Sequence, residues 1–199
     1  MSFIFQPKLN KHELNLFLFS AIKSIFITSK FQFMTGSAFN QCPDLNILEV
    51  DEDNTYFCSL YYFIFNKAMT KLVRAHTNFS TDIIPNKENV VALGKFMMSG
   101  STLEEYIGWN NLLSIEFCVL HANHPLKFVD LSISVPSKCF NLLNQLILIN
   151  LPEDLSTIST NAILDSYALK AIYIPMKVSS IQDSAIYQKS FSENDCLFW

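Results

Sequence analysis

The chain has 199 residues, half of them hydrophobic and 14% aromatic, and only 16% are charged, against roughly 25% in an ordinary soluble domain. A net charge of −4 with a single arginine, Arg74, argues against independent nucleic-acid binding, which works through clustered lysine and arginine on phosphates. So little charge leaves a surface short of solubility: either a partner covers part of it, or the protein is poorly soluble alone.

Residues 11–28 read as a first helix. Leu14, Phe17, Leu18, Ala21, Ile22, Ile25 and Phe26 recur at i, i+3, i+4, i+7, i+8, i+11 and i+12, one continuous helical stripe. Leu16, Phe19 and Ile27 lie off that stripe, so the apolar surface is wider than one buried face needs. These three are candidate partner-binding residues. A Gly-containing turn in "FQFMTGSAFN" and the alternation of "LNILEV" (45–50) then predict short strands or a hairpin.

A second long helix is expected over 54–76. Asp51, Glu52 and Asp53 precede it, and Lys67, Lys71, Arg74 and His76 close it, the charge order that complements a helix dipole. Its middle, "YFCSLYYFIF" (56–65), is apolar on nearly every side and suits a deeply buried helix or, as the second choice, a strand. "ENVVALGKFMMS" (88–99) reads as a strand with Gly94 at a bulge. Ser101 and Glu104 stand at capping-box spacing for a short helix. Strands at 112–121 and 126–135, helices at 137–148 and 159–169, and a strand at 171–178 complete the series. No internal repeat or linker stands out. The fold class expected is α+β: a mainly antiparallel sheet packed against two long helices and several short ones. Residues 1–178 form one compact domain, and 179–199 form a polar tail ending in an apolar anchor, Leu197, Phe198 and Trp199, which are also candidate partner-binding residues.

The densest collection of reactive side chains is "CVLHANHPLKF" (118–128). Cys118, His121 and His124 could ligate zinc, but no fourth ligand sits at a familiar spacing. In a strand, Cys118 and His121 point to opposite faces. Asn123, His124 and Pro125 suit a turn, so the stretch reads as the bend of a β-hairpin. Lys67, Lys71 and Arg74 at i, i+4 and i+7 share a helix face, either solvated or turned to an anionic partner. Asp51–Asp53 lack the alternation and glycine of a calcium loop. Phosphate-binding glycine loops, GxSxG and HExxH are absent.

Five scattered cysteines, odd in number, suit a reducing compartment. In such a compartment the sequon Asn78-Phe79-Ser80 is silent. "LNLFLFSAI" (14–22) is too short to span a bilayer and lacks a signal cleavage site, and "CLFW" ends on Trp199, outside the usual prenylation motifs. These features together predict a non-enzymatic subunit of an intracellular multiprotein complex, nuclear or cytoplasmic, that buries apolar surface against a protein partner. No catalytic residue, cofactor or metal ligand is assigned. One alternative is an accessory subunit of DNA-recombination or chromatin machinery, as in topoisomerase-like DNA-break complexes. Another is an unfamiliar enzyme using Cys118 with His121 or His124.

Overall fold

The computed structural model describes residues 2–5, 17, 20–34, 36–133 and 135–187. In chain order the strands are β1 (Ser2–Phe5), β2 (Ser24–Ile27), β3 (Ile47–Val50), β4 (Phe57–Leu60), β5 (Phe63–Asn66), β6 (Lys71–Arg74), β7 (Ala92–Leu93), β8 (Glu105–Ile107) and β9 (Ser114–Ile115). They continue as β10 (Phe128–Asp130), β11 (Phe140–Asn141), β12 (Leu148–Asn150), β13 (Thr157–Ile158), β14 (Ile163–Leu164), β15 (Ala171–Tyr173), β16 (Ser180–Ile181) and β17 (Ile186–Tyr187). Two 3₁₀ turns lie at Gly36–Phe39 and Thr81–Ile83, and no α-helix occurs among the described residues.

Nearly every strand pairs in parallel with its equivalent one coil later. Glu105 pairs with Phe128, 23 residues on, and Phe128 with Leu148, 20 residues on. The chain therefore winds as a β-solenoid of about seven turns. One side carries β1–β2–β3 and, further along, β8–β10–β12–β15. Backbone bonds from Thr77 N to Leu45 O and from Thr102 N to Thr77 O carry the column between them. A second side carries β4–β5–β6–β7–β9 and then β13–β16; a third carries β11–β14–β17.

The inward positions are three residues apart. Leu103, Tyr106, Trp109, Leu112, Ile115 and Cys118 are all buried, as are Phe39, Cys42, Leu45 and Leu48, and Phe140, Leu143, Leu146 and Ile149. A strand alone would give a spacing of two and a helix 3.6. Here strands of two to four residues alternate with tight corners, and the mixture repeats every three. The corners use left-handed backbone in two columns. Gln41, Gly100, Ala122, Leu142 and Asp165 form one, and Phe96, Cys118, Lys138, Asn161 and Ser184 the other, with φ from 52° to 70°. Only one of these ten is glycine. An L-residue there gives up on the order of 1 kcal/mol, so the stacked ladders and core hold the corners in place.

These observations correct the α+β expectation. The first predicted helix ends in strand β2, with Ile22, Ile25 and Ile27 buried. The second, 54–76, is the three strands β4, β5 and β6. The helices expected at 137–148 and 159–169 are corners and short strands β11 and β14. A core period of three falls close enough to 3.6 to imitate a helical stripe over ten residues. The sheets are mainly parallel, and a repeat runs through the chain that was not apparent from identity of residues, because any apolar type serves at an inward position. Strands β16 and β17, beyond residue 178, pair with β13 and β14 of the preceding coil.

One coil departs from the pattern. Between β3 and β6 the antiparallel hairpin β4–β5 is inserted, and it extends the second side as its outermost pair. Phe57 on β4, Ile64 on β5 and Val73 on β6 join a core formed with Ile25, Phe39 and Leu48. Phe63, Phe65 and Leu72 face the larger core of the following coils. The strand β5 is therefore buried on both faces and divides the interior in two.

Candidate functional site

The sheet β8–β10–β12–β15 has Tyr106, Val129, Ile149 and Ile172 pointing inward and buried. Their neighbours alternate outward, so Ile107, Asp130, Asn150 and Tyr173, the last residues of the four strands, stand in one row as register partners. With strands spaced about 4.8 Å, the row is roughly 14 Å long. At its foot the coils approach closely. Gly108 N donates to Asp130 O at 2.8 Å, and a Cβ on Gly108 would lie 2.7 Å from Ser132 Oγ and 2.9 Å from Ser132 N. Ser132 Oγ donates in turn to Trp109 O at 3.1 Å.

Above this floor opens a groove of about 760 Å³, walled by the row itself, by Asn110 and Ser132, and by the loop Pro152-Glu153-Asp154. That volume suits a small ligand or a peptide segment. Asp130, Glu153 and Asp154 make its lining acidic, and Lys177 pairs with Asp154, whose carboxyl is held below its usual range by that hydrogen bond and charge. The lining includes no histidine or cysteine, and no group of three or more His, Cys, Asp or Glu among the described residues could hold a metal ion. The groove can offer charge, amide hydrogen bonds and two apolar ends, Ile107 and Tyr173; it offers no nucleophile paired with a base.

Of the residues expected to bind a partner, Ile27 is fully buried on β2, between its register partners Phe5 and Val50. Leu16, Phe19, Leu197, Phe198 and Trp199 lie outside the described residues. Lys67, Lys71 and Arg74 do not share a helix face: Lys71 pairs with Glu116 at 2.5 Å, and Arg74 is buried. Asp51–Asp53 form a tight turn after β3, with Asp53 N bonded to Asp51 Oδ1 at 3.0 Å.

"CVLHANHPLKF" is not a hairpin bend. Strand β9 pairs with β7, while β10 pairs with β8 and β12, so the stretch is a solenoid corner between two different sheets. Cys118 is buried, and desolvation pushes its thiol up to about 11. His121 packs edge-on against Phe96 at 5.4 Å; burial, with smaller contributions from His124 and Lys138, pushes its imidazole down to about 4. An activated Cys–His pair needs the opposite, a stabilised thiolate beside an imidazolium. The Cys118/His121 enzyme reading therefore has no electrostatic support.

The groove escaped sequence reasoning because it takes one residue from each coil. Its signal is the recurrence of Tyr106-Ile107, Val129-Asp130, Ile149-Asn150 and Ile172-Tyr173 at the solenoid period, which is invisible until that period is known.

Comparison with known proteins agrees with this architecture. A family model described as "BspA type Leucine rich repeat region" matches in six copies over residues 1–80 and 73–193. A leucine rich cell surface protein from Faecalibacterium prausnitzii, of known crystal structure, is 22% identical with a TM-score of 0.69 over 83% of this chain and 45% of its own. A leucine-rich repeat protein from Eubacterium ventriosum is 20% identical with a TM-score of 0.48, over 88% of this chain and 63% of that one. The chain thus spans about half the length of these structures. No curated protein matches it. The readings as a subunit of an intracellular complex, or of DNA-recombination or chromatin machinery, give way to the repeat family, and the nuclear or cytoplasmic location gives way because the Faecalibacterium protein is one of the cell surface. With matching repeats over nearly its whole length and a parallel coil to carry them, the chain belongs to the BspA type leucine rich repeat family.

Proposed function

We propose that the chain is a non-catalytic recognition module, displayed at a cell surface, that holds a protein partner along the carboxyl edge of its parallel sheet. The carrying observation is the groove of about 760 Å³ with Asp130 and Asn150 between Ile107 and Tyr173. Its acidic lining favours a cationic ligand, and a row roughly 14 Å long matches four to five residues of extended chain. The partner segment is therefore extended, with a lysine or arginine opposite Asp130 and apolar residues towards either end. Among the described residues, the cysteines Cys42, Cys58, Cys118 and Cys139 are free, and all but Cys58 are buried; shielded thiols of this kind are compatible with an oxidising exterior.

The test uses a fluorescently labelled Leu-Lys-Leu-Lys-Leu peptide and its Leu-Glu-Leu-Glu-Leu counterpart in anisotropy titrations. The lysine peptide is expected to bind, to weaken with salt, and to weaken about tenfold, or roughly 1.4 kcal/mol, with Asp130→Asn. Glu49→Gln, on the exposed side of β3, should change nothing. Equal binding of both peptides, or an Asp130→Asn protein that binds as well as the parent, would refute the assignment.

A further inference from the structure

The sequon Asn78-Phe79-Ser80 falls on the bend between β6 and the turn Thr81–Ile83, and burial alternates through it. Asn78 and Ser80 are exposed and Phe79 is buried. The Phe79 ring stands edge-on to Phe63 at 5.5 Å and to His76 at 5.8 Å, so the middle residue pins the bend to the core while its two neighbours face solvent. Ser80 is extended (φ −113°, ψ 158°), and its hydroxyl makes no capping bond to the turn that follows. Thr102 Oγ1 donates to Asn78 Oδ1 at 3.2 Å; that bond engages the carboxamide oxygen and not the nitrogen. The middle residue is not proline, and this is the single Asn-x-Ser/Thr triplet in the chain.

From this placement we infer that Asn78 is an N-glycosylation site, a modification that Asn-x-Ser carries in secreted chains. The inference rests on the surface location proposed above. In the step concerned, Asn78 Nδ2 attacks the anomeric carbon of a saccharide carried on a lipid diphosphate. The C1–N bond forms and the C1–O bond breaks. The diphosphate leaves with the electron pair, and one Nδ2 proton passes to a base of the transferase. Because Asn78 precedes the turn Thr81–Ile83, which packs against β8, the saccharide projects from the amino edge of that side of the solenoid. The groove lies at the carboxyl edge, so the modification leaves the peptide site open.

The full chain, expressed behind a cleavable secretory leader in a eukaryotic host and recovered from the secretory pathway or the medium, tests this by intact mass. One glycan is expected, removable by peptide N-glycosidase with conversion of Asn78 to aspartate. It should be absent from Asn78→Gln and Ser80→Ala and present in Ser80→Thr. Binding of the lysine peptide should stay within twofold whether or not the glycan is present. An unmodified chain inside the lumen or medium overturns the site, while intact peptide binding by that same material would leave the recognition reading standing. A glycan retained in Asn78→Gln would equally overturn it.

Discussion

Arg74 carries the chain's one guanidinium and is 1% exposed, and among the described residues no carboxylate forms an ion pair with it. Its charge is met by backbone carbonyls instead. One terminal nitrogen donates to Phe96 O at 2.7 Å and Met97 O at 3.5 Å, the other to Phe39 O at 3.2 Å and Ser99 O at 3.1 Å. Phe39 belongs to the coil before the inserted hairpin and Phe96–Ser99 to a coil after it, so the planar fork ties the two together where the solenoid is interrupted. Desolvation lowers the group to about 10, yet it remains charged at neutral pH. Arg74→Ala should destabilise the protein by about 3–5 kcal/mol, since the guanidinium's hydrogen bonds to four backbone carbonyls are lost and a cavity opens. Arg74→Lys should recover less than half of that, because an ammonium cannot span both sets of carbonyls as the fork does. The urea midpoint measures both; an Arg74→Ala protein within 0.5 kcal/mol of the parent would show that water replaces the guanidinium without loss.

The inserted hairpin shows why some elements could be read from residue pattern and others not. "LNILEV" was legible as a strand but not in its inward face: Leu48 is buried and Glu49 exposed, yet the apolar Ile47 is exposed too, and the buried pair is Leu45 and Leu48, three apart. β5 has Phe63, Ile64 and Phe65 all fully buried, and a strand covered on both faces has no alternation to distinguish it from a buried helix. Cys139, Phe140, Leu143 and Leu146 fit a helical stripe equally well, although they belong to a coil with a period of three. The tip of the hairpin was also unreadable. Tyr61 and Tyr62 have φ of 48° and 64°, both left-handed, as a two-residue turn of the Asn-Gly kind requires, but neither tyrosine signals a turn. Tyr61 is 74% exposed, so little burial would be lost on replacing it. Tyr61→Asn with Tyr62→Gly should therefore raise stability by about 1–2 kcal/mol, by relieving left-handed strain at two residues. A lower urea midpoint for this double variant would mean that the rings pack on the body of the protein strongly enough to outweigh the strain.

At the scale of the molecule, each coil touches chiefly the coils before and after it, so stability is close to a sum of coil and interface contributions. This makes the register itself testable. Phe128 and Leu148 are partners, so excising residues 128–147 joins Lys127 to Leu148 and leaves every remaining inward position inward. Excising 128–137 joins Lys127 to Lys138 and throws the following coil half a turn out of phase, turning core residues such as Leu143 and Leu146 towards solvent. The first deletion should keep the far-ultraviolet β signal of the parent per residue and unfold cooperatively at a lower midpoint, since one interface is gone. It also removes Asp130 from the row of strand ends, so the lysine peptide should no longer bind, which separates folding from recognition in one protein. The second deletion should aggregate or lose its sheet signal. If both deletions proved equally damaging, the independence of coils would be wrong, and the hydrogen-bonded columns would have to be treated as one cooperative sheet from β6 to β17.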